Sequence, residues 1–191
     1  MLRALLLAPP GAGKGTQGER IADRYGVEHL ATGDLLREHV AKGTDLGHEA
    51  KAYMDRGALV PDDVVVRLIL DQIAGPPVLE GFVLDGFPRS LPQAEGAHEW
   101  GVANDRTFDA VVSLVVPTDE LVRRLLERGE RSGRSDDNED TIRNRLAVYE
   151  QSTAPLLDYY RDRGILVEVD GVGDVDSVTE RVVHAIDALR G

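Results

Sequence analysis

Residues 5–17 read LLLAPPGAGKGTQ: an apolar run, two prolines, and three glycines alternating around a lysine. A phosphate loop is ordinarily written G-x-x-x-x-G-K-[ST], and this stretch departs from it twice. Ala8 stands where the first glycine is expected, and Gly15 separates Lys14 from Thr16. Such a loop works because successive backbone N–H groups curl around an anion at a helix N-terminus. Glycines permit the curl and a lysine adds a point charge. Gly11, Gly13 and Gly15 surround Lys14 directly after an apolar strand and before a helical pattern, which is the context the motif requires. A methyl at Ala8 is tolerable if the backbone there keeps ordinary dihedrals. The Thr16 hydroxyl can still turn toward a phosphate or a metal-bound water. The stretch reads as a nucleoside triphosphate site.

Outward from the loop, short apolar runs alternate with longer helical patterns. RALLLA (3–8), FVLDG (82–86), DAVVSLVVP (109–117) and ILVEVDG (165–171) are strand-like, and HLAT (29–32) is a short further candidate. Continuous apolar strands separated by helices indicate a parallel sheet covered on both faces, here an α/β fold of five strands. Helical patterns run over Lys14–Tyr25, Leu91–Trp100, Asp119–Arg128 (with Leu121, Leu125 and Leu126), Asp140–Tyr160 (where Pro155 is positioned to kink it) and Val175–Leu189. Residues 35–58 are helical and polar with no strand inside, as in an appendage inserted between strands. RGERSGRSDDNED (128–140) is charged, holds two glycines and lacks apolar residues, so it reads as a surface loop able to act as a lid.

Composition narrows the function. With 42% hydrophobic and 29% charged residues, the chain is globular rather than disordered. The N-terminal apolar run is too short to span a bilayer and has no small-residue cleavage site, so a cytoplasmic location without membrane contact is expected. The chain has no cysteine, which excludes disulfides, thiolate catalysis and a cysteine-rich structural zinc. A formal charge of -12 argues against a nucleic-acid partner. A small anionic substrate stays possible if basic groups are gathered locally.

Two further sets of residues carry chemistry. Asp85 ends an apolar strand, where the C-terminal edge of a parallel sheet presents its ligands, and its carboxylate can hold Mg²⁺ through water beside a triphosphate. Arg124 and Arg128 are four apart on one helix, Arg134 sits in the charged loop, and Arg145 lies on the helix that follows. Phosphoryl transfer needs positive groups around the migrating phosphoryl and little covalent chemistry, and arginine's fork suits two-pronged phosphate contacts. Any one of these arginines alone would read as solvated surface.

The chain closely resembles the adenylate kinase family over nearly its whole length. The resemblance rests on PPGAGKGTQ (9–17), HLATGDLLR (29–37), GALVPDD (57–63), VLDGFPRSLPQ (83–93), RLLERGERSGRSDDNEDTIRNRL (124–146) and APLLDYY (154–160). The family has glycine directly after the lysine and then threonine, which accounts for Gly15–Thr16; Ala8 remains a departure, with a modest effect on loop geometry expected. The resemblance implies a P-loop NTPase fold in one domain (1–191): a core of 1–31, 62–128 and 138–191, an AMP-binding helical insertion at 32–61, and a short lid loop at 129–137. It implies Mg²⁺-dependent transfer of the terminal phosphoryl of ATP to AMP, giving two ADP, by a monomer.

Residue by residue, the resemblance puts the phosphates on Gly11, Ala12, Gly13, Lys14, Gly15 and Thr16, and the AMP phosphate on Arg37 and Arg89. Thr32, Gly33 and Gly86 fall around the acceptor, Met54, Leu59, Val60 and Val65 line its base and ribose pocket, and Gln93 meets the adenine edge. Arg124 stacks on the ATP adenine, while Arg128, Arg134 and Arg145 clamp the transferring group and Asp136 and Asp137 organise the lid. Lys14, Arg89, Arg128, Arg134 and Arg145 form the catalytic set, and Asp85 and Thr16 the metal set. Pro88 matches a proline commonly cis in the family. The short lid without cysteine places the chain with members that lack zinc.

UMP/CMP kinases share this pattern but carry alanine in place of Thr32 and asparagine in place of Gln93. A GTPase-like switch would need an N-K-x-D motif, which is absent. The donor base, ATP or GTP, is left open by these residues.

Overall fold

The central strands are apolar at nearly every position because both of their faces are covered. The computed structural model describes residues 1–73, 81–132 and 136–191. Five parallel strands, β1 (Arg3–Leu7), β2 (Glu28–Ala31), β3 (Phe82–Asp85), β4 (Ala110–Val115) and β5 (Leu166–Asp170), form one sheet in the order β2-β3-β1-β4-β5. Alternation along β1 splits the core. Ala4 and Leu6 face one layer with Val83, Val112 and Ile21, whereas Leu5 and Leu7 face the other with Val111 and Leu156. The edge strands β2 and β5 keep exposed positions.

Helix α1 (Lys14–Tyr25) follows β1 and packs with α9 (Val175–Arg190) through Ile21, Val178, Val182 and Ile186. Each of these fully buried aliphatic side chains contributes about 1.5–3 kcal/mol. On the other face lie α4 (Asp62–Ile73), α5 (Leu91–Ala103) and α8 (Leu156–Arg161). The polar stretch after β2 forms α2 (Thr32–Lys42) and α3 (Asp45–Met54), with no strand, as its composition implied. Thr32 begins α2 rather than ending the strand.

Two longer segments differ more from the sequence reading. Helix α6 (Thr118–Ser132) runs through the start of the segment read as a loop over 129–137. Arg131 pairs with Glu127 at 3.2 Å, and the Ser132 hydroxyl donates to the Arg128 carbonyl at 2.8 Å, which together support the extra turn. Leu126 is 39% exposed and stands off the buried stripe of Leu121 and Leu125. The second difference is the pattern read as one helix over Asp140–Tyr160. It is α7 (Glu139–Val148), a π-helical segment (Tyr149–Thr153), then α8. Ala154 N–H donates to the Tyr149 carbonyl at 2.8 Å, five residues back, and Pro155 caps α8 instead of kinking a continuous helix.

Helices α2 and α3 meet at Gly47, where an added Cβ would lie 2.1 Å from the His39 carbonyl oxygen and 2.6 Å from the Val40 nitrogen. Thr44 caps α3 just before this crossing, accepting from Gly47 N–H at 3.1 Å. Gly47→Ala is therefore expected to force the two helices apart and cost about 1–3 kcal/mol. Thermal melting checks this: the expected result is a loss of several degrees, and an unchanged midpoint contradicts the crossing geometry.

Candidate active site

The glycine loop, Asp85 and Thr32 follow or close the C-terminal ends of β1, β3 and β2, which are in register there (Leu6 with Asp85, Ala31 with Asp85). The loop between β1 and α1 has Gly11 at φ 87 and Gly13 at φ 95, the latter being the N-cap of α1. No side chain caps this helix and its first turn holds no acid, so the N-terminal amides of α1 are left for an anion. A Cβ on Gly11 would come 2.8 Å from the Leu121 carbonyl, so glycine is also needed there for the approach of α6. Ala8 has no positive φ, and its methyl is buried at 4% exposure in the core beside α1. The departure from glycine is absorbed by packing.

Gly11, Gly13, Lys14, Gly15 and Thr16 line a cleft of about 570 Å³ together with Asp85, Arg124 and Arg128. Ala12 does not. It is 2% exposed in the core, and its N–H donates to the Pro9 carbonyl at 3.3 Å inside the loop. Lys14 Nζ donates to the carbonyls of Ala8 (2.6 Å) and Pro9 (3.0 Å). Burial lowers its ammonium to a pKa of about 8, with Asp85 opposing and Arg89, Arg145 and Arg128 adding to the lowering.

A second lobe opens from the first, sharing Gly33, Arg37, Gly86, Arg89 and Arg145 with it. Thr32, Met54, Leu59, Val60, Val65 and Gln93 complete its wall, so the residues expected around a monophosphate are brought to one cavity. Leu36, Gly57 and Ala58 also line it and were not singled out in the sequence. Leu36 follows Thr32 by one helical turn, a spacing that could have found it. Tyr149 and Thr153 of the π segment reach the first lobe, where the sequence offers no signal.

Arg89 lies where the lobes join. Its Nε donates to the Gly86 carbonyl at 2.7 Å and its own carbonyl accepts from the Thr153 hydroxyl at 2.8 Å. Burial, then Arg145, lowers its pKa from the usual arginine value. The Phe87–Pro88 bond is cis. Arg37 pairs with Asp34 at 2.5 Å, and Arg124 with Glu120 at 2.7 Å.

Arg128 makes a two-pronged contact to Asp137, both bonds 2.7 Å, while Arg145 donates to Asp137 and Asp136 at 2.8 Å each. The Asp137 side chain is fully buried. Burial alone would raise its pKa, but Arg128 and Arg145 outweigh that and hold it below the usual carboxylate range. Arg134 lies outside the described residues. Among the described residues there is no group of three or more His, Asp or Glu that could hold a metal, and no helix is long and apolar enough to cross a membrane.

A parallel sheet whose first strand feeds a glycine-rich anion cradle, with arginines gathered across one cleft, defines a phosphate-loop protein. Comparison with known sequences narrows the class: the family model described as adenylate kinase matches residues 6–165. A protein named adenylate kinase from Kocuria rhizophila is 48% identical over 187 residues, covering 98% of this chain and all of the relative. Its namesake from Archaeoglobus fulgidus is 41% identical, covering 99% of this chain and all of the relative. A third, from Thermobifida fusca, is 46% identical over 97% of this chain and 98% of its own length. The chain belongs to the adenylate kinase family, a family of phosphotransferases.

The lowered Lys14 gives a pH dependence with a definite sign. In the free protein the amine loses its proton as pH rises through about 8, and an anion in the loop restores its affinity for that proton. Tripolyphosphate binding is therefore expected to weaken above pH 8 and to take up a proton at pH 8.5. Calorimetry in two buffers of different ionisation enthalpy reads the uptake. Proton-neutral binding at that pH contradicts the assignment.

Proposed function

We propose that this chain catalyses the reversible transfer of the terminal phosphoryl group of ATP to AMP, giving two ADP. The observation that carries the reading is the joining of two lobes at Arg89 and Arg145, one beneath the phosphate loop and one lined by an apolar pocket with Gln93. In this reading an AMP phosphate oxygen attacks the terminal phosphorus of ATP in line. The bond from that phosphorus to the bridging oxygen breaks, and ADP leaves from the loop side.

The loop amides and Lys14 hold the donor phosphates, while Arg37 and Arg89 hold the acceptor phosphate. Arg128, Arg145 and Arg134 gather around the transferring group, where a desolvated guanidinium stabilises charge far better than water does. The pairing of Arg128 and Arg145 with Asp136 and Asp137 supports a clamp held in shape before the phosphates arrive. Arg124 flanks the donor base. Met54, Leu59, Val60 and Val65 take the acceptor base and ribose, with Gln93 reading the base edge and Thr32 and Gly33 beside it.

The Asp85 carboxylate and Thr16 hydroxyl lie in the same lobe as Lys14, and Asp85 Oδ2 is 3.8 Å from where a Cβ of Gly15 would be. One carboxylate and one hydroxyl suit a Mg²⁺ that arrives on the triphosphate and keeps its waters, rather than an all-protein cage. That ion would neutralise phosphate charge; Asp85 and Thr16 would orient it through water. Residues 32–61 act as the acceptor-binding insertion and 129–137 as the lid, in a cytoplasmic enzyme active as a single chain, with zinc playing no part.

Supplying ATP and Mg²⁺ with AMP, CMP, UMP or GMP and measuring ADP formation against a no-acceptor control tests the proposal. Turnover confined to AMP is expected. Preference for CMP or UMP would overturn the acceptor assignment while leaving the clamp, and transfer to none would overturn the activity.

A further inference from the structure

Gln93 is 1% exposed, yet its amide faces the second lobe with both ends already engaged. Its Oε1 accepts from the Arg89 N–H at 2.7 Å, and its Nε2 donates to Asp62 Oδ1 at 2.6 Å. Asp62 is the first residue of α4, whereas Gln93 lies in the first turn of α5. The Ser90 hydroxyl, which caps α5, donates to both Asp62 oxygens at 3.2 Å. The start of one helix therefore fixes the start of the other.

A side-chain amide left to itself turns over about its last torsion and offers its acceptor and donor in either order. Here it has one order. A carboxylate can only accept and a backbone N–H can only donate, so Nε2 must face Asp62 and Oε1 must face Arg89. Each end keeps one unused valence: the second lone pair of Oε1 and the second N–H of Nε2. Side by side in fixed order, they match the amino group and ring-nitrogen acceptor of adenine. A 6-oxopurine presents the reverse, an oxygen acceptor beside a ring N–H. Accepting it would require the turned amide, setting N–H against N–H at Arg89 and oxygen against a carboxylate at Asp62.

We propose that Asp62 is a positioning residue that locks the polarity of the Gln93 amide and so makes the acceptor lobe select a 6-aminopurine over a 6-oxopurine. This rests on the reading of Gln93 as the group that meets the acceptor base. Asp62 touches no substrate; it acts through Gln93.

Asp62→Asn tests the Asp62 side of the lock, because an asparagine amide can either accept from or donate to Gln93, leaving only the Arg89 N–H to oppose the turned amide. The readout is the ratio of kcat/KM for IMP to that for AMP, which a general structural loss leaves unmoved because both substrates then decline together. In Asp62→Asn the ratio is expected to rise about tenfold, with KM for AMP increasing and KM for IMP falling. Asp62→Ser, whose hydroxyl also donates and accepts, carries the same expectation and serves if the asparagine variant does not fold. Asp62→Glu keeps an acceptor-only group and is expected to hold the parent ratio. Gln93→Ala separates the two ideas. If it shifts the ratio while Asp62→Asn and Asp62→Ser do not, the lock is overturned and the base-reading role of Gln93 stands. If none of the variants shifts the ratio, both fall.

Discussion

Everything in this fold answers to one electrostatic problem: a lysine ammonium and several guanidinium groups are drawn out of water into one cleft. Burial depresses the proton affinity of Lys14 and Arg89, and the neighbouring cations add to it, Arg89, Arg145 and Arg128 at Lys14 and Arg145 at Arg89. The chain as a whole carries a formal charge of -12, so this cluster is a local reversal of sign. Such a cluster costs free energy unless an anion joins it. Phosphate groups meet that need, and the free N–H groups at the start of α1 point the same way. The site is built to bind a polyanion before it is built to do chemistry.

Part of the compensation comes from acids beside these cations. Asp137 is enclosed by Arg128 and Arg145, joining the end of α6 to the start of α7. Asp136 takes a further bond from Arg145. Asp85 balances Lys14 across the loop. In the proposed mechanism the pairs with Asp136 and Asp137 hold Arg128 and Arg145 where phosphate oxygens would share them, leaving little reorganisation for binding. The lowered pKa of Asp137 gives a stabilising contribution that is complete above its usual pKa, near 4, and is lost as acid protonates it.

Much of this was legible in the residue pattern, for local reasons. The sequence places α1 over Lys14–Tyr25, directly after the glycine loop, and the structure has the same bounds, with Gly26 closing the helix at φ 65. The three central strands were readable because doubly covered strands are almost continuously apolar. What escaped depended either on how a loop or turn closes locally or on contacts distant in sequence. Nothing in APPGAG says that Ala8 packs against α1 or that the Ala12 N–H turns inward to Pro9, since both follow from how the loop closes. The extra turn of α6 arises from charged pairs in a stretch that reads as loop by composition. The π segment over Tyr149–Thr153 has no signature at all, although it brings Thr153 to the Arg89 carbonyl. The hydrogen bond of Gln93 to Asp62 spans 31 positions and joins two helix starts that only the tertiary fold brings together.

The central claim is that both lobes of the cleft fill at once, with Arg89 and Arg145 between the two sets of phosphates. Calorimetric titration of AMP into protein already saturated with a non-hydrolysable ATP analogue and Mg²⁺ tests it most directly. The account predicts that one equivalent of AMP binds with the analogue still in place, at an affinity equal to or better than that for the free protein. Displacement of the analogue by AMP, or loss of AMP binding when the analogue is present, would mean that the two lobes are one site and would contradict the account.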